Sequence, residues 1–153
     1  MAKIFCIANQ KGGVGKTTTA VNLAAGLIAQ KQRVLLVDLD PQGNATMGSG
    51  VNKAELENSV YQVLIGTALA SQALLHASAA GYSVLPANRD LAGAEVELVD
   101  LDNREMRLKL ALNEIEEQFD FILIDCPPAL SLLTLNGLCA ADGVVVPMQC
   151  EYF

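Results

Sequence analysis

The first thirty residues hold a pattern that few folds can accommodate. A short apolar run, "KIFCIAN" (Lys3–Asn9), passes into a glycine-rich turn, "QKGGVGKTT", and then into "TTTAVNLAAGLIAQ" (Thr17–Gln30). In that last segment Ala20, Leu23, Ala24, Leu27 and Ile28 recur at the spacing of one helical stripe. Strand, glycine turn and helix make the first half of a βαβ unit. Gly12, Gly13 and Gly15 let backbone N–H groups turn inward around an anion. The helix beginning near Lys16 aims the positive end of its dipole at the same point.

The general phosphate-binding pattern G-x-x-x-x-G-K-[ST] would place its first glycine at position 10, where Gln10 stands. The strict pattern therefore fails, but its chemistry survives in Lys11, Gly12, Gly13, Val14, Gly15, Lys16, Thr17 and Thr18, the candidate nucleotide-binding segment. Lys16 is expected on the β- and γ-phosphates and the Thr17 hydroxyl on Mg²⁺. Lys11 is a second lysine that a single nucleotide does not require.

The rest of the chain alternates in the same way. "RVLLVD" (Arg33–Asp38), "YSVLPA" (Tyr82–Ala87), "FILID" (Phe121–Asp125) and "GVVVPM" (Gly143–Met148) read as strands, the apolar ones covered on both faces. A polar loop over Asp40–Gly50 is expected after the second. Helices are expected in "SVYQVLIG", in "REMRLKLALNEIEEQF", where Leu108, Ala111, Leu112, Ile115 and Phe119 share a face, and in "ALSLLTLNGLCA". The expectation is an α/β fold: a mostly parallel sheet with helices on both faces. Residues 1–153 read as one nucleotide-binding domain. The chain stops just after a strand, where such a fold would continue, so it is expected to be the N-terminal part of a longer domain.

A magnesium nucleotide needs carboxylates, and two strand ends supply them. Asp125 closes four apolar residues, Phe121 to Ile124, the place of a Mg²⁺-holding aspartate, although a strand-end Asp also caps ordinary turns. Asp38 and Asp40 lie in "VDLDPQGN". Two carboxylates this close to a triphosphate are costly unless Mg²⁺ or a reacting water uses them. Asp38 is a candidate metal ligand, and Asp40, just before Pro41, is a candidate for orienting the attacking water.

The net charge of −7 argues against a broad nucleic-acid surface on this stretch. No apolar run approaches the ~20 residues of a membrane span, and Met1-Ala2-Lys3 leads directly into a strand without a signal peptide. The expected location is the cytoplasm. Cys6, Cys126, Cys139 and Cys150 form no CxxC pair and are expected to be reduced thiols in or near the core. His76 reads as a helix-end side chain, and Arg104, Arg107, Lys109, Glu95 and Glu97 as solvated helix faces.

"KGGVGKTT", "VDLDPQGNAT", "ILIDCPP" and "DLAGAEVELV" together resemble the ParA/Soj family of partitioning ATPases. These belong to the P-loop class with a deviant Walker A motif that includes MinD and the nitrogenase iron protein. The resemblance implies a cytoplasmic ATPase that forms a homodimer around two ATP molecules. In that form it coats DNA non-specifically, and a ParB-like protein stimulates its hydrolysis. By position, Lys16 and Thr17 hold phosphate and Mg²⁺, Asp40 is the hydrolytic aspartate, Asp125 the Walker B aspartate and Lys11 the signature lysine. Pro127 and Pro128 open the switch segment. Lys11, repelled by Lys16 unless more phosphate charge arrives, is expected to reach across to a partner's triphosphate. The catalytic set is thus Asp40, Lys11 and Lys16, and the metal set Thr17, Asp38 and Asp125. The surface for DNA is expected in later sequence, and no membrane contact is implied.

Other readings share the scaffold. A MinD-like ATPase at the membrane would need a C-terminal amphipathic helix. An iron–sulfur reductase component would need two exposed cysteines per subunit at a dimer seam. A small-molecule kinase or amide-forming ligase would need an acceptor pocket. An inactive fragment of a P-loop ATPase is the remaining alternative.

Overall fold

The structure, a computed structural model, describes residues 1–8, 16–77 and 79–147, with the backbone alone at 16–18. Within it lie strands β1 (Lys3–Ile7), β2 (Val34–Asp38), β3 (Leu75–Ala77), β4 (Tyr82–Leu85), β5 (Phe121–Asp125) and β6 (Gly143–Val145). The helices are α1 (Lys16–Ala29), α2 (Asn44–Gly48), α3 (Val60–Ile65), α4 (Ala70–Ala73), α5 (Leu91–Glu97), α6 (Arg107–Asn113) and α7 (Leu132–Ala140). The strands form one sheet in the order β3-β4-β2-β5-β1-β6. All pairings are parallel except β3 with β4.

Every residue of β2 is buried, which is why its sequence is a continuous apolar run and not an alternating one. Its side chains still alternate between faces. Val34 and Leu36 pack with Ala20 and Ala24 of α1 and Ala45 of α2. Leu35 and Val37 pack on the opposite side with residues of α3, α5, α6 and α7, including Val60, Leu91, Leu112 and Leu133. Helices on both faces of a mostly parallel sheet were expected, and that is the architecture found.

Four local features differ from the sequence reading. The antiparallel edge strand β3 was not foreseen; its three residues are too few to show a period, and His76 lies on this strand rather than at a helix end. The supposed loop after β2 contains α2. The helix expected through Phe119 ends at Asn113, and a 3₁₀ turn, Glu116–Gln118, follows. Ile115 and Phe119 stay buried, so the break turns the chain into β5 while keeping the apolar stripe on the sheet. A period count cannot see such a break. On α1 the stripe rotates away from Leu23, which is 36% exposed, and is centred on Ala20 and Ala24.

Arg107, assigned to a solvated face, is an anchor, whereas Arg104 and Lys109 are exposed as expected. Arg107 Nε donates to the Leu64 carbonyl at 2.8 Å, tying α6 to the end of α3. Arg104 Nη1 donates to the Val99 carbonyl at 3.0 Å.

Candidate nucleotide site

The C-terminal ends of three parallel strands are brought level. Ile7 of β1 is in register with Asp125 of β5, and Asp125 is in register with Asp38 of β2. From β1 the chain crosses to β2 on one side, and from β5 it crosses to β6 on the other. Ligands of open α/β sheets bind in the crevice outside the strand ends at such a reversal. The segment joining β1 to α1 is the glycine-rich stretch. Lys11, Gly12, Gly13, Val14 and Gly15 lie outside the described residues, as do the side chains of Lys16, Thr17 and Thr18. The described flanks are Ile7, ending β1, and Lys16, opening α1.

Asp38 and Asp125 are both fully buried. Asp38 is held by three donors. The Asp40 amide reaches Oδ1 at 3.0 Å, and the Thr46 amide and hydroxyl reach Oδ2 at 2.9 and 2.7 Å. The Thr46 hydroxyl also accepts from the Ala87 amide at 2.9 Å. A buried carboxylate thus ties the end of β2 to the first turn of α2 and to the chain after β4. Burial pushes the Asp38 carboxyl up from its ordinary 3.8 to about 6. The Thr46 hydroxyl pulls it back, the charge on Asp125 raises it further, and the Asp40 and Thr46 amides lower it.

Asp40 sits in a turn built around its own side chain. Oδ1 accepts from the Gln42 amide at 3.0 Å, and its carbonyl accepts from the Gly43 amide at 2.8 Å. Gly43 adopts φ +66°, and a Cβ there would stand 2.9 Å from the Ala87 carbonyl oxygen. Only glycine closes this turn without strain. Asp40 is 8% exposed, so it borders the crevice while Asp38 lies beneath it.

Two buried carboxylates in register raise the cost of ionising both, which a shared proton or a cation relieves. The arrangement fits Mg²⁺, which takes one or two carboxylates and completes its octahedron with phosphate oxygens and water. Among the described residues no cluster of three His, Cys, Asp or Glu side chains forms a self-sufficient metal site.

The sequence reading missed Thr46 and Glu95. Thr46 lies eight residues after Asp38 inside a stretch taken as loop, and no spacing rule joins the two. Glu95, taken as a surface residue, accepts from the Leu132 and Leu133 amides at 3.1 and 3.2 Å and caps α7 from another helix. Glu97 accepts from the Tyr61 hydroxyl at 2.6 Å. Among the described residues no helix is long and apolar enough to cross a membrane.

A family described as an AAA domain matches residues 2–153. The chain is 54% identical to the chromosome partitioning protein ParA of Myxococcus xanthus, over 100% of this chain and 54% of that protein. It is also 54% identical to the sporulation initiation inhibitor protein Soj of Bacillus subtilis, over 100% of this chain and 60% of that protein. The chain therefore spans somewhat more than half the length of these relatives. Among solved structures, the cobyrinic acid a,c-diamide synthase of Mycobacterium smegmatis with bound ADP and magnesium superposes with a TM-score of 0.96. It is 51% identical, over 99% of this chain and 62% of that one.

Proposed function

The chain belongs to the AAA domain family, and from that premise we propose that it is the nucleotide-binding part of a dimerising, Mg²⁺-ATP-dependent ATPase of the ParA/Soj kind, acting in DNA segregation. The observation that carries this reading is the level alignment of Asp38 and Asp125 with Ile7, the strand end from which the sequence runs into Lys11–Thr18. The similarity, over the whole of this chain, to the chromosome partitioning protein ParA of Myxococcus xanthus and to Soj of Bacillus subtilis, and the ADP and magnesium bound in the similar structure, support it.

In this reading Lys16 and the amides of Gly12, Gly13, Val14, Gly15, Thr17 and Thr18 hold the phosphates. Thr17 and Asp125 would hold Mg²⁺, which when bound neutralises charge between the β- and γ-phosphates. Asp38, although expected as a metal ligand, has both oxygens engaged by three donors, and this favours a supporting place beneath the ion. Its Oδ1 fixes the Asp40 amide. Asp40 then accepts a hydrogen bond from the attacking water and orients it toward the γ-phosphate. Lys11 reaches a partner subunit's nucleotide, so each site is completed only in the homodimer. A ParB-like activator and non-specific DNA are the partners of the whole protein, with a cytoplasmic, nucleoid-bound location. Residues 1–153 serve as the N-terminal part of its single nucleotide-binding domain.

Two variants test this. Lys16→Ala abolishes MgATP binding in a fluorescent-nucleotide titration. Asp40→Ala binds MgATP, is hydrolytically silent and accumulates as a dimer on size-exclusion chromatography. Full-strength binding by the first, or parental turnover by the second, refutes the assignment.

A second reading, an amide-forming ligase, is favoured by the similarity to the cobyrinic acid a,c-diamide synthase of Mycobacterium smegmatis. It predicts ATP consumption that depends on cobyrinic acid and a nitrogen donor. The partitioning reading predicts turnover indifferent to both.

A further inference from the structure

The segment that follows Asp125 has no regular structure until α7 begins. Its first residue is fixed to the sheet, where the Cys126 amide donates to the Ile7 carbonyl at 3.1 Å; beyond Cys126 the contacts are local. The Thr134 hydroxyl donates to the Ala129 carbonyl at 2.6 Å and lies 3.5 Å from that of Pro127. The Ser131 hydroxyl accepts from the Thr134 amide at 3.5 Å as the local cap. These contacts lie within the segment and its own helix; the body of α7 is held separately, by Asn136, which accepts from the Leu108 amide at 3.0 Å and donates to the Arg104 carbonyl at 2.8 Å. The amides of Leu132 and Leu133, in the first turn of α7, have no carbonyl partner within the helix. Glu95 takes both.

Glu95 comes from α5, a different element with its own anchors. Leu91, Ala94 and Leu98 are fully buried on that side of the sheet. The chain entering α5 is fixed near Ala87, whose amide donates to Thr46, which in turn donates to Asp38. The stretch from Ala87 through α5 therefore meets both acid-bearing segments. Through Ala87 it joins the Asp38–Asp40 side, and through Glu95 it joins the segment behind Asp125. A carboxylate accepting two amides at a helix N-terminus is a charge-assisted pair aligned with the helix dipole.

We propose that Glu95 is a positioning residue for hydrolysis: its carboxylate holds the C-terminal end of the segment Pro127–Ser131, whose other end is fixed at Cys126, in the place where Asp125 serves the bound nucleotide. This rests on the ATPase reading above. Glu95 touches no group assigned to the nucleotide, so its effect falls on turnover and leaves binding nearly alone. Without it the two amides turn to water, and the first turn of α7 with the segment before it samples other positions, while Asn136 still holds the rest of the helix.

The test uses the purified protein with Glu95→Ala and Glu95→Gln. Glu95→Ala is expected to lower kcat by about tenfold, a loss of about 1.4 kcal/mol in transition-state stabilisation, with the Kd for MgATP within about twofold. Amide hydrogen exchange at Leu132 and Leu133 is expected to quicken by a similar factor. Glu95→Gln, which keeps one acceptor oxygen and loses the charge, is expected to fall between parent and alanine variant in both measurements. Parental kcat in a folded Glu95→Ala variant overturns the proposal, as does a tenfold or larger loss of MgATP affinity. If Glu95→Ala does not fold, Glu95→Gln decides: reduced kcat at an unchanged thermal midpoint supports the role, and parental kcat overturns it. If the parent itself neither binds nor hydrolyses MgATP, the ATPase reading has failed. The positioning role for hydrolysis falls with it, while exchange at Leu132 and Leu133 in the nucleotide-free protein still reports whether the tether exists.

Discussion

Asp38 gives the protein an unusual response to pH, whose size follows from its surroundings. Its carboxyl is fully buried, level with a second buried aspartate, and titrates near 6 in the folded chain against an ordinary 3.8. Because the folded pKa is raised, protonated Asp38 favours folding. Its stabilising effect is fully present below the unfolded value of 3.8 and is lost as the pH climbs through about 6. At ~1.4 kcal/mol per pH unit, the full difference is about 3 kcal/mol. Since the unfolded group is already half ionised near pH 4, roughly 2 kcal/mol of this appears between pH 4 and pH 7. The direction is opposite to ordinary acid denaturation. The assay is urea unfolding of the parent and of Asp38→Asn at half-unit intervals from pH 4 to 7. Subtracting one stability curve from the other removes the carboxylates common to both. Asp38→Asn carries a constant penalty, because its amide nitrogen opposes one of the donors from Asp40 or Thr46. The parent should be the more stable by a margin that narrows by about 2 kcal/mol as the pH rises. Parallel curves would refute the reasoning, for they would mean that Asp38 keeps one protonation state throughout.

Gly43→Ala places a Cβ 2.9 Å from the Ala87 carbonyl oxygen at φ +66°. It should cost about 1–3 kcal/mol in urea unfolding and slow hydrolysis by displacing Asp40; unchanged stability would show that the turn relaxes freely. Lys11→Ala should keep monomeric MgATP affinity while losing ATP-dependent dimerisation on size-exclusion chromatography and about 10³-fold or more in turnover. Parental dimerisation and turnover would place Lys11 within its own subunit's site.

The sheet was legible because its strands are buried on both faces, and burial leaves uninterrupted apolar runs such as "VLLVD" and "FILID". Asp38 and Asp125 were legible for the same reason: a charge ending such a run stands out. β3 left no trace because three residues on an edge need no apolar period. α2 was hidden by "DPQGNATMG", whose proline and glycine read as loop although they only build the turn ahead of the helix. Glu95 and Thr46 were invisible for another reason. Each acts on amides or a carboxylate far along the chain, and the sequence spacing between such partners carries no period. The expected surface role of Arg107 failed in the same way, since a carbonyl acceptor leaves no mark in the sequence.

The level ends of β1, β5 and β2 act as a gauge. Because adjacent strands lie about 4.8 Å apart, the spacing of Asp38 and Asp125 is a property of the lattice of the sheet and is independent of how long the intervening connections are. Length changes are therefore of two kinds. An insertion in an exposed turn, such as the one at Gly66–Leu69 between α3 and α4, leaves the gauge untouched. Deleting a single residue within β5 slides every later side chain to the opposite face, and the position level with Asp38 passes to Cys126. A peptide tag or a reporter domain can thus be carried in the first kind of place, whereas the strands admit no change of length at all.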